Sequence, residues 1–188
     1  KKVISSRIEK VNSFIPSYSL GERTRSYLKV QDGCNYNCSF CTIPLARGKS
    51  RSNFIEETIK VAKELSKKNI REMVLTGINI GDFGTNGHET FYDLIKKLDQ
   101  LNYIDRLRIS SIEPNLLSDE IIEFCAESKK FMPHFHIPLQ SGSNKILSLM
   151  KRRYNKELYE NKINRVRSFL PDSSIGVDVM VGFPGESE

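Results

Sequence analysis

The sequence predicts an α/β chain built on a parallel sheet, on three observations. Short apolar-rich runs alternate with amphipathic stretches of helical period, five times in succession. Strict alternation of strand and helix calls for parallel strands joined by right-handed crossovers. The composition is that of a globular chain: 188 residues, 38% hydrophobic and 28% charged, too apolar and too varied for a disordered tail. No window approaches the roughly 18 consecutive apolar residues of a membrane span, and no charged-then-apolar leader opens the chain.

Residues 1–22 show little periodicity, with Pro16 and Gly21 breaking them up, and read as a linker or the edge of a preceding domain. The core is expected from residue 23 onward. Residues 26–31 alternate and suit a first strand. Asn53, with Glu56 three residues on, reads as a helix start, and Ile55, Ile59, Ala62 and Leu65 follow at helical spacing. Residues 71–75 form a buried second strand, ended by Thr76 and Gly77. Phe91, Leu94, Ile95, Leu98 and Leu101 make an amphipathic stripe. Residues 107–110 are the third strand, and Ser118 caps a helix whose first turn carries Asp119 and Glu120, where the dipole favours them. Residues 134–138 are the fourth strand, with His134 and His136 expected on opposite sides. Ser143 caps a helix carrying Ile146, Leu147 and Met150. Leu158, Ile163, Val166 and Phe169 make another, stopped by Pro171. Residues 175–181 are the fifth strand. A glycine-rich loop from Gly182 to Glu186 follows, where a further helix is expected. That ending, and a start at Lys1 rather than Met, predict a fragment cut after strand five.

The unusual residues fall at the C-terminal ends of the predicted strands, where parallel α/β folds bind ligands. They are the cysteine loop, Thr76-Gly77-Ile78-Asn79, Ser111-Ile112-Glu113-Pro114, Gln140-Ser141-Gly142-Ser143 and the Gly182 loop. Three of the four cysteines, Cys34, Cys38 and Cys41, lie within eight residues as C-x3-C-x2-C. Three thiolates on one loop can hold three corners of an iron–sulfur cubane and leave the fourth iron open. Structural zinc, which wants four ligands, and a disulfide or redox pair remain as alternatives. Cys125 lies mid-helix among Ile121, Ile122 and Phe124 and is expected to be a buried, inert thiol. The balance of 29 basic and 23 acidic residues, a formal +6, permits an anionic partner such as RNA without requiring one. Arg47, Lys49 and Arg51 near the rim, and Lys151, Arg152 and Arg153 further on, are open to two readings: phosphate contacts or a solvated surface.

From about Arg23 onward the chain resembles the radical S-adenosylmethionine superfamily, on the C-x3-C-x2-C spacing with Phe40 before the last cysteine. Within it, Leu28 to Cys34, Thr42-Ile43-Pro44, the run from Ala46 to Ser52, Pro138 to Ser143 and Val181 to Glu186 resemble the methylthiotransferases. Lys29 to Gly33 and Ser111 to Pro114 are most similar to those acting on threonylcarbamoyladenosine in tRNA. Sister enzymes act on isopentenyladenosine in tRNA or on an aspartate of a ribosomal protein. The resemblance implies an incomplete, TIM-like βα barrel of about five parallel strands with outer helices. It implies that Cys34, Cys38 and Cys41 bind a 4Fe-4S cluster whose open iron is chelated by the methionine part of S-adenosylmethionine. A 5′-deoxyadenosyl radical then abstracts hydrogen from the substrate, and the outcome is a methylthio group at C2 of the modified adenosine next to the anticodon. Phe40 would sit beside the adenine, as would Val181 and Gly182. Gln140, Ser141 and Ser143 would contact the ribose and methionine part. Thr76 and Gly77 occupy the loop for the amino group, which here lacks the usual Gly-Gly-Glu, and Glu113 is a candidate polar contact. The family's second cluster belongs to an N-terminal domain with three further cysteines, and an RNA-binding domain follows the barrel. Neither is found here, so the chain alone is expected not to methylthiolate RNA. The implied partners are tRNA, S-adenosylmethionine and an electron donor, in the cytoplasm. A rival of another class is a zinc-stabilised RNA-binding module without catalysis.

Overall fold

The computed structural model describes residues 7–19, 25–68, 70–85, 87–102 and 104–187. The first six residues of the expected linker, its end with Gly21, and the start of the core at residues 23–24 lie outside the described residues. β1 (Ser17–Tyr18) is a two-residue antiparallel edge on β2 (Arg25–Lys29). β3 (Gln31–Asp32) and β4 (Arg51–Ser52) pair antiparallel across the base of the cysteine loop, with α1 (Ile43–Arg47) between them. α2 (Ile55–Ser66) leads to β5 (Glu72–Thr76) and α3 (Phe91–Asp99) to β6 (Arg106–Ile109). α4 (Asp119–Glu127) leads to β7 (His134–His136), and α5 (Asn144–Leu149) with α6 (Lys156–Phe169) to β8 (Ser174–Gly176).

β2, β5 and β6 form a parallel ladder in which Arg25 faces Glu72 and Glu72 faces Arg106. β7 and β8 are parallel from His134–Ser174 to His136–Gly176. Two parallel bridges, Leu107–Phe131 and Ser111–His136, join the two sets. The five expected strands therefore follow one another in space as in sequence, each separated by helix, which is the order of an open βα barrel.

Side chains two apart on a strand share a face. Leu28, Met73, Leu75, Leu107, Ile109 and Phe135 are all buried on the face that meets the helices. There they join Ala62 and Leu65 of α2, Leu94, Ile95 and Leu98 of α3, Ile121, Ile122 and Cys125 of α4, and Val166 of α6. Each fully buried aliphatic side chain contributes roughly 1.5–3 kcal/mol of transfer free energy. The other face carries Arg25, Tyr27, Lys29, Glu72, Val74, Arg106 and Arg108 side by side. Arg25, Arg106 and Arg108 all lie near the one carboxylate of Glu72, at 3.9, 3.1 and 3.3 Å.

Four local expectations change. Asn53 is not the N-cap of α2: the cap residue is Phe54, which has no side-chain acceptor, and Glu89 Oε2 accepts from Ile55 N at 2.7 Å instead. His134 and His136 stand on one face of β7, as period two requires, with buried Phe135 on the other. Phe169 leaves the core stripe of α6 and lies 40% exposed over Arg165. The fifth strand ladder runs only to Gly176 and resumes where Val179 bridges Gln140. From His136 to Gln140 is four residues, whereas from Gly176 to Val179 is three. The extra residue is a bulge, and Gln140, with φ of 63°, makes the turn.

Candidate cofactor site at the mouth of the open barrel

The cysteine loop leaves the sheet through a buried polar brace. Gln31 is 0% exposed and ties three segments together. Its Nε2 donates to Asp32 O (3.0 Å), Gly33 O (2.7 Å) and Ser50 Oγ (2.9 Å). Its Oε1 accepts from the backbone N–H of Ile78 (2.9 Å) and Asn79 (2.8 Å), in the loop after β5. Beside it, buried Asp32 accepts from Arg51 Nη2 at 3.2 Å and pairs with Lys29 and Arg47. Arg51 also donates to the carbonyls of Ser13, Arg47 and Lys49. Gly33 must be glycine: φ is 71° and a Cβ would lie 2.1 Å from Lys49 O.

The loop itself is moored to the end of α5. A helix leaves its last four carbonyls without intrahelical partners. In α5, Arg152 N donates to Leu147 O and Lys151 N to Ser148 O, both at 2.9 Å. This is a Schellman ending, with Lys151 at φ 57° in the position usually held by glycine. The remaining two carbonyls are taken by Ser39, which lies between Cys38 and Cys41. Ser39 Oγ donates to Leu149 O (2.9 Å) and Ser39 N to Met150 O (3.1 Å). The left-handed turn at Lys151 also leads the chain to Arg152, whose side chain is 5% exposed. Its Nη1 donates to Cys38 Sγ at 3.2 Å, its Nη2 to Glu113 Oε2, and its Nε to Tyr154 OH at 3.3 Å. Arg153 stacks over the Tyr36 ring at 3.9 Å and donates to Asn35 O. Asn115 Nδ2 donates to Tyr36 OH at 2.7 Å.

The sulfurs differ in environment. Cys34 is half-buried and its Sγ accepts from Tyr36 N (3.3 Å) and, more distantly, from Asn79 Nδ2 (3.9 Å). Burial pushes its thiol up, and the charges of Asp82 and Cys38 add to this against the pull of the Tyr36 N–H. Cys38 is buried and Cys41 half-buried. Among the described residues no three Cys, His, Asp or Glu side chains are gathered around one point that would hold a metal ion. Cys125 is 3% exposed on α4, and burial pushes its thiol up to about 12, the inert thiol expected.

Phe40 is half-buried in the cysteine loop, beside Cys41. Thr76 ends β5, its carbonyl accepting from Val30 N at 2.9 Å. At Gly77 a Cβ would lie 2.9 Å from Gln31 Oε1. Glu113 is engaged by Arg152; burial raises its carboxyl, the guanidinium pulls it back, and the net remains upward. Gln140 joins the fourth strand to the fifth, donating from N to Asp178 O and accepting at O from Met180 N, both 2.8 Å. Ser141 is buried and its Oγ accepts from Ser143 N at 3.2 Å, while Ser143 Oγ caps α5 as expected. Val181 is 82% exposed. Gly182, at φ 74°, donates from N to Glu186 Oε2 at 2.6 Å. The structure thus brings the cysteine loop against the loops after β5 and β6 and the end of α5, while Val181 and Gly182 continue past the Gln140 bulge. Sequence reasoning gave no individual role to Gln31, Asp82 or Asn115, named Asn79 only as part of the loop after β5, and read Arg152 as a phosphate contact or a solvated surface. Asn79 and Asp82 are buried polar groups, linked at 2.9 Å, and Asn79 Oδ1 has no hydrogen-bond partner among the described residues.

The model of the radical SAM superfamily matches residues 28–188, which takes in every element from the end of β2 onward. The chain belongs to the radical SAM superfamily. It is 44% identical over 93% of its length to the threonylcarbamoyladenosine tRNA methylthiotransferase MtaB of Bacillus subtilis (strain 168), of which it spans 39%. It is 40% identical over 87% of its length to a tRNA-2-methylthio-N(6)-dimethylallyladenosine synthase of Thermoanaerobacter sp. (strain X514), of which it spans 35%. The chain therefore spans about two fifths of the curated relatives it matches. Among solved structures, the radical S-adenosylmethionine methyltransferase TsrM of Kitasatospora setae superposes with a TM-score of 0.70. That match covers 86% of this chain and 31% of the other at 17% identity, so it bears on the fold alone. The partial barrel of a radical SAM protein is the architecture expected from the sequence.

Proposed function

We propose that this chain is the cluster- and S-adenosylmethionine-binding barrel of a tRNA methylthiotransferase, with threonylcarbamoyladenosine as the modified base. One observation carries the reading: the C-x3-C-x2-C loop stands at the C-terminal mouth of the parallel strands, with the loops after β5 and β6 folded against it. The high identity to the MtaB enzyme over nearly the whole chain supports the choice of substrate over the dimethylallyladenosine alternative. Residues 23–188 act as the core and residues 1–22 as a linker or the edge of a preceding domain, from which Ser17–Tyr18 pairs with β2.

The donor set fits an iron–sulfur cluster. Three thiols share one short loop, a backbone N–H already points at one sulfur and a guanidinium at another, and an anionic thiolate-bound cluster is stabilised by both. The fourth cysteine, Cys125, is buried on α4 and adds no ligand to this loop. Cys34, Cys38 and Cys41 would hold that cluster. When bound, that cluster supplies the electron that cleaves S-adenosylmethionine to the radical which attacks the substrate. The chain's own residues bind and orient. Phe40, Val181 and Gly182 offer surface for adenine. Gln140 and Ser141 offer polar contacts for the ribose and methionine part, and Thr76, Gly77 and Glu113 complete the rim. A second cluster would need ligands other than Cys34, Cys38 and Cys41. tRNA and an electron donor are the partners, in the cytoplasm. No helix among the described residues is long and apolar enough to cross a membrane.

The test is anaerobic reconstitution with iron and sulfide, reduction, and EPR with and without S-adenosylmethionine. The expected result is a 4Fe-4S signal that the cofactor perturbs and that Cys38→Ala abolishes. Stoichiometric zinc with no iron uptake would overturn the reading in favour of a zinc-stabilised module.

A further inference from the structure

We infer that Arg152 is a positioning residue for the cysteine-held cluster, fixing the Cys38 sulfur and setting, with Glu113, how readily the cluster takes up an electron. The inference rests on the reading of Cys38 as a cluster ligand. Arg152 stands in a Lys-Arg-Arg run that looks like a solvated surface, yet its side chain is 5% exposed. Neither neighbour shares that environment: Lys151 and Arg153 are exposed. The Schellman ending of α5 determines the difference, because the left-handed residue at Lys151 redirects the chain. Each of the three guanidinium nitrogens of Arg152 then has a partner: Cys38 Sγ at 3.2 Å, Glu113 Oε2, and Tyr154 OH at 3.3 Å. Tyr154 is itself anchored by Pro138 O at 2.7 Å and Leu139 O at 2.9 Å, the strand-four end of the rim. A buried guanidinium with this many partners cannot swing out to meet a phosphate without stranding Glu113.

The same geometry joins opposite charges to one sulfur: Arg152 donates from Nη1 to Cys38 Sγ and from Nη2 to the carboxylate of Glu113. One-electron reduction adds one negative charge to the thiolate-bound group and makes or breaks no bond. A positive charge at the sulfur favours the reduced state and a negative charge disfavours it, and burial keeps water from screening either. Removing Arg152 should therefore lower the midpoint potential, and neutralising Glu113 should raise it. A residue that merely held the fold together would not produce opposite signs.

The experiment uses the 188-residue chain, reconstituted anaerobically with iron and sulfide and titrated with dithionite under EPR. The variants are Arg152→Gln, Arg152→Lys and Glu113→Gln, with circular dichroism as the folding control. Arg152→Gln should shift the one-electron equilibrium toward the oxidised form by about tenfold, equivalent to about 59 mV. Arg152→Lys, which keeps the charge, should stay closer to the parent, and the nearly isosteric Glu113→Gln should move the potential upward. Glu113→Gln preserves the test should Arg152→Gln not fold. Shifts of the same sign, or cluster loss with no change of potential in what remains, would overturn the inference and leave the cluster reading intact. A parent chain that takes up no iron–sulfur cluster would bring down both.

Discussion

Replacing Gln31 should cost this chain about as much stability as truncating a buried leucine, because of what its removal leaves behind. Gln31→Ala takes the shared acceptor from the N–H groups of Ile78 and Asn79, bound at 2.9 and 2.8 Å. It also takes the donor from the carbonyls of Asp32 and Gly33. The site is 0% exposed, so bulk water does not replace the lost partners. Each buried donor left unmade costs roughly 1–3 kcal/mol, which puts the loss from the two N–H groups at about 4 kcal/mol. With an m-value of about 2 kcal/mol/M, the urea midpoint should fall by about 2 M. Gln31→Glu separates hydrogen bonding from shape. One carboxylate oxygen can still accept from Ile78 and Asn79, but the other faces the two carbonyls with nothing to donate. That variant favours its protonated form in the folded state, so its folded pKa is raised. Its stability should rise as pH falls from about 7 toward 5, the reverse of an ordinary carboxylate. A loss below about 1 kcal/mol for Gln31→Ala, or a pH-indifferent Gln31→Glu, would refute the brace.

Three further outcomes are expected. Burial raises the Glu72 carboxyl, but the hydrogen bonds from Arg108 and Arg106 and the charges of Arg108 and Arg25 outweigh it, leaving the group below its ordinary range. Its contribution is therefore complete above the unfolded pKa of about 4.3 and fades as pH falls through the lower folded value. The gap in urea midpoint between parent and Glu72→Gln should be widest near pH 7 and close by about pH 3. Iodoacetamide at about pH 8 should label Cys34 and Cys41 in the native metal-free chain and leave Cys125 unlabelled until urea is added, as peptide mass mapping would read. Lys151→Gly should raise the thermal midpoint, because glycine relieves about 1 kcal/mol of left-handed strain at φ 57°. An unchanged or lower midpoint would mean that the Schellman ending is not strained by lysine.

The sheet was legible because its signal is repetition. Five apolar runs separated by stripes such as Phe91, Leu94, Ile95 and Leu98 leave few topologies open, and all four of these residues are buried in α3. What was not legible depends on contacts far apart in sequence. The N-terminus of α2 looked capped from within by Asn53, but the acceptor is Glu89, 34 residues away. The fifth strand read as one apolar run through Val181, but the bulge at Gln140, on the neighbouring strand, interrupts it. The same holds at the site. The thiols announce themselves by spacing, whereas Gln31 looks like any polar residue of an alternating strand, and three of its five partners, Ser50, Ile78 and Asn79, lie in segments that only folding brings to it.

The cationic residues show this most clearly. Two clusters looked interchangeable in sequence, and each contains both framework and surface. Arg51 is 8% exposed and divides its donors among Asp32 and three carbonyls, so it closes the base of the cysteine loop. Arg152 closes its other end against Cys38 and Glu113. Phosphate binding requires charge that solvent counterions can reach, since their release drives it. Neither arginine offers that. The residues of these clusters that do stand in solvent are Arg47, Lys49, Lys151 and Arg153, and Arg153 lies over the Tyr36 ring within the cysteine loop. In each cluster a buried arginine holds that loop, and exposed cations stand beside it in sequence.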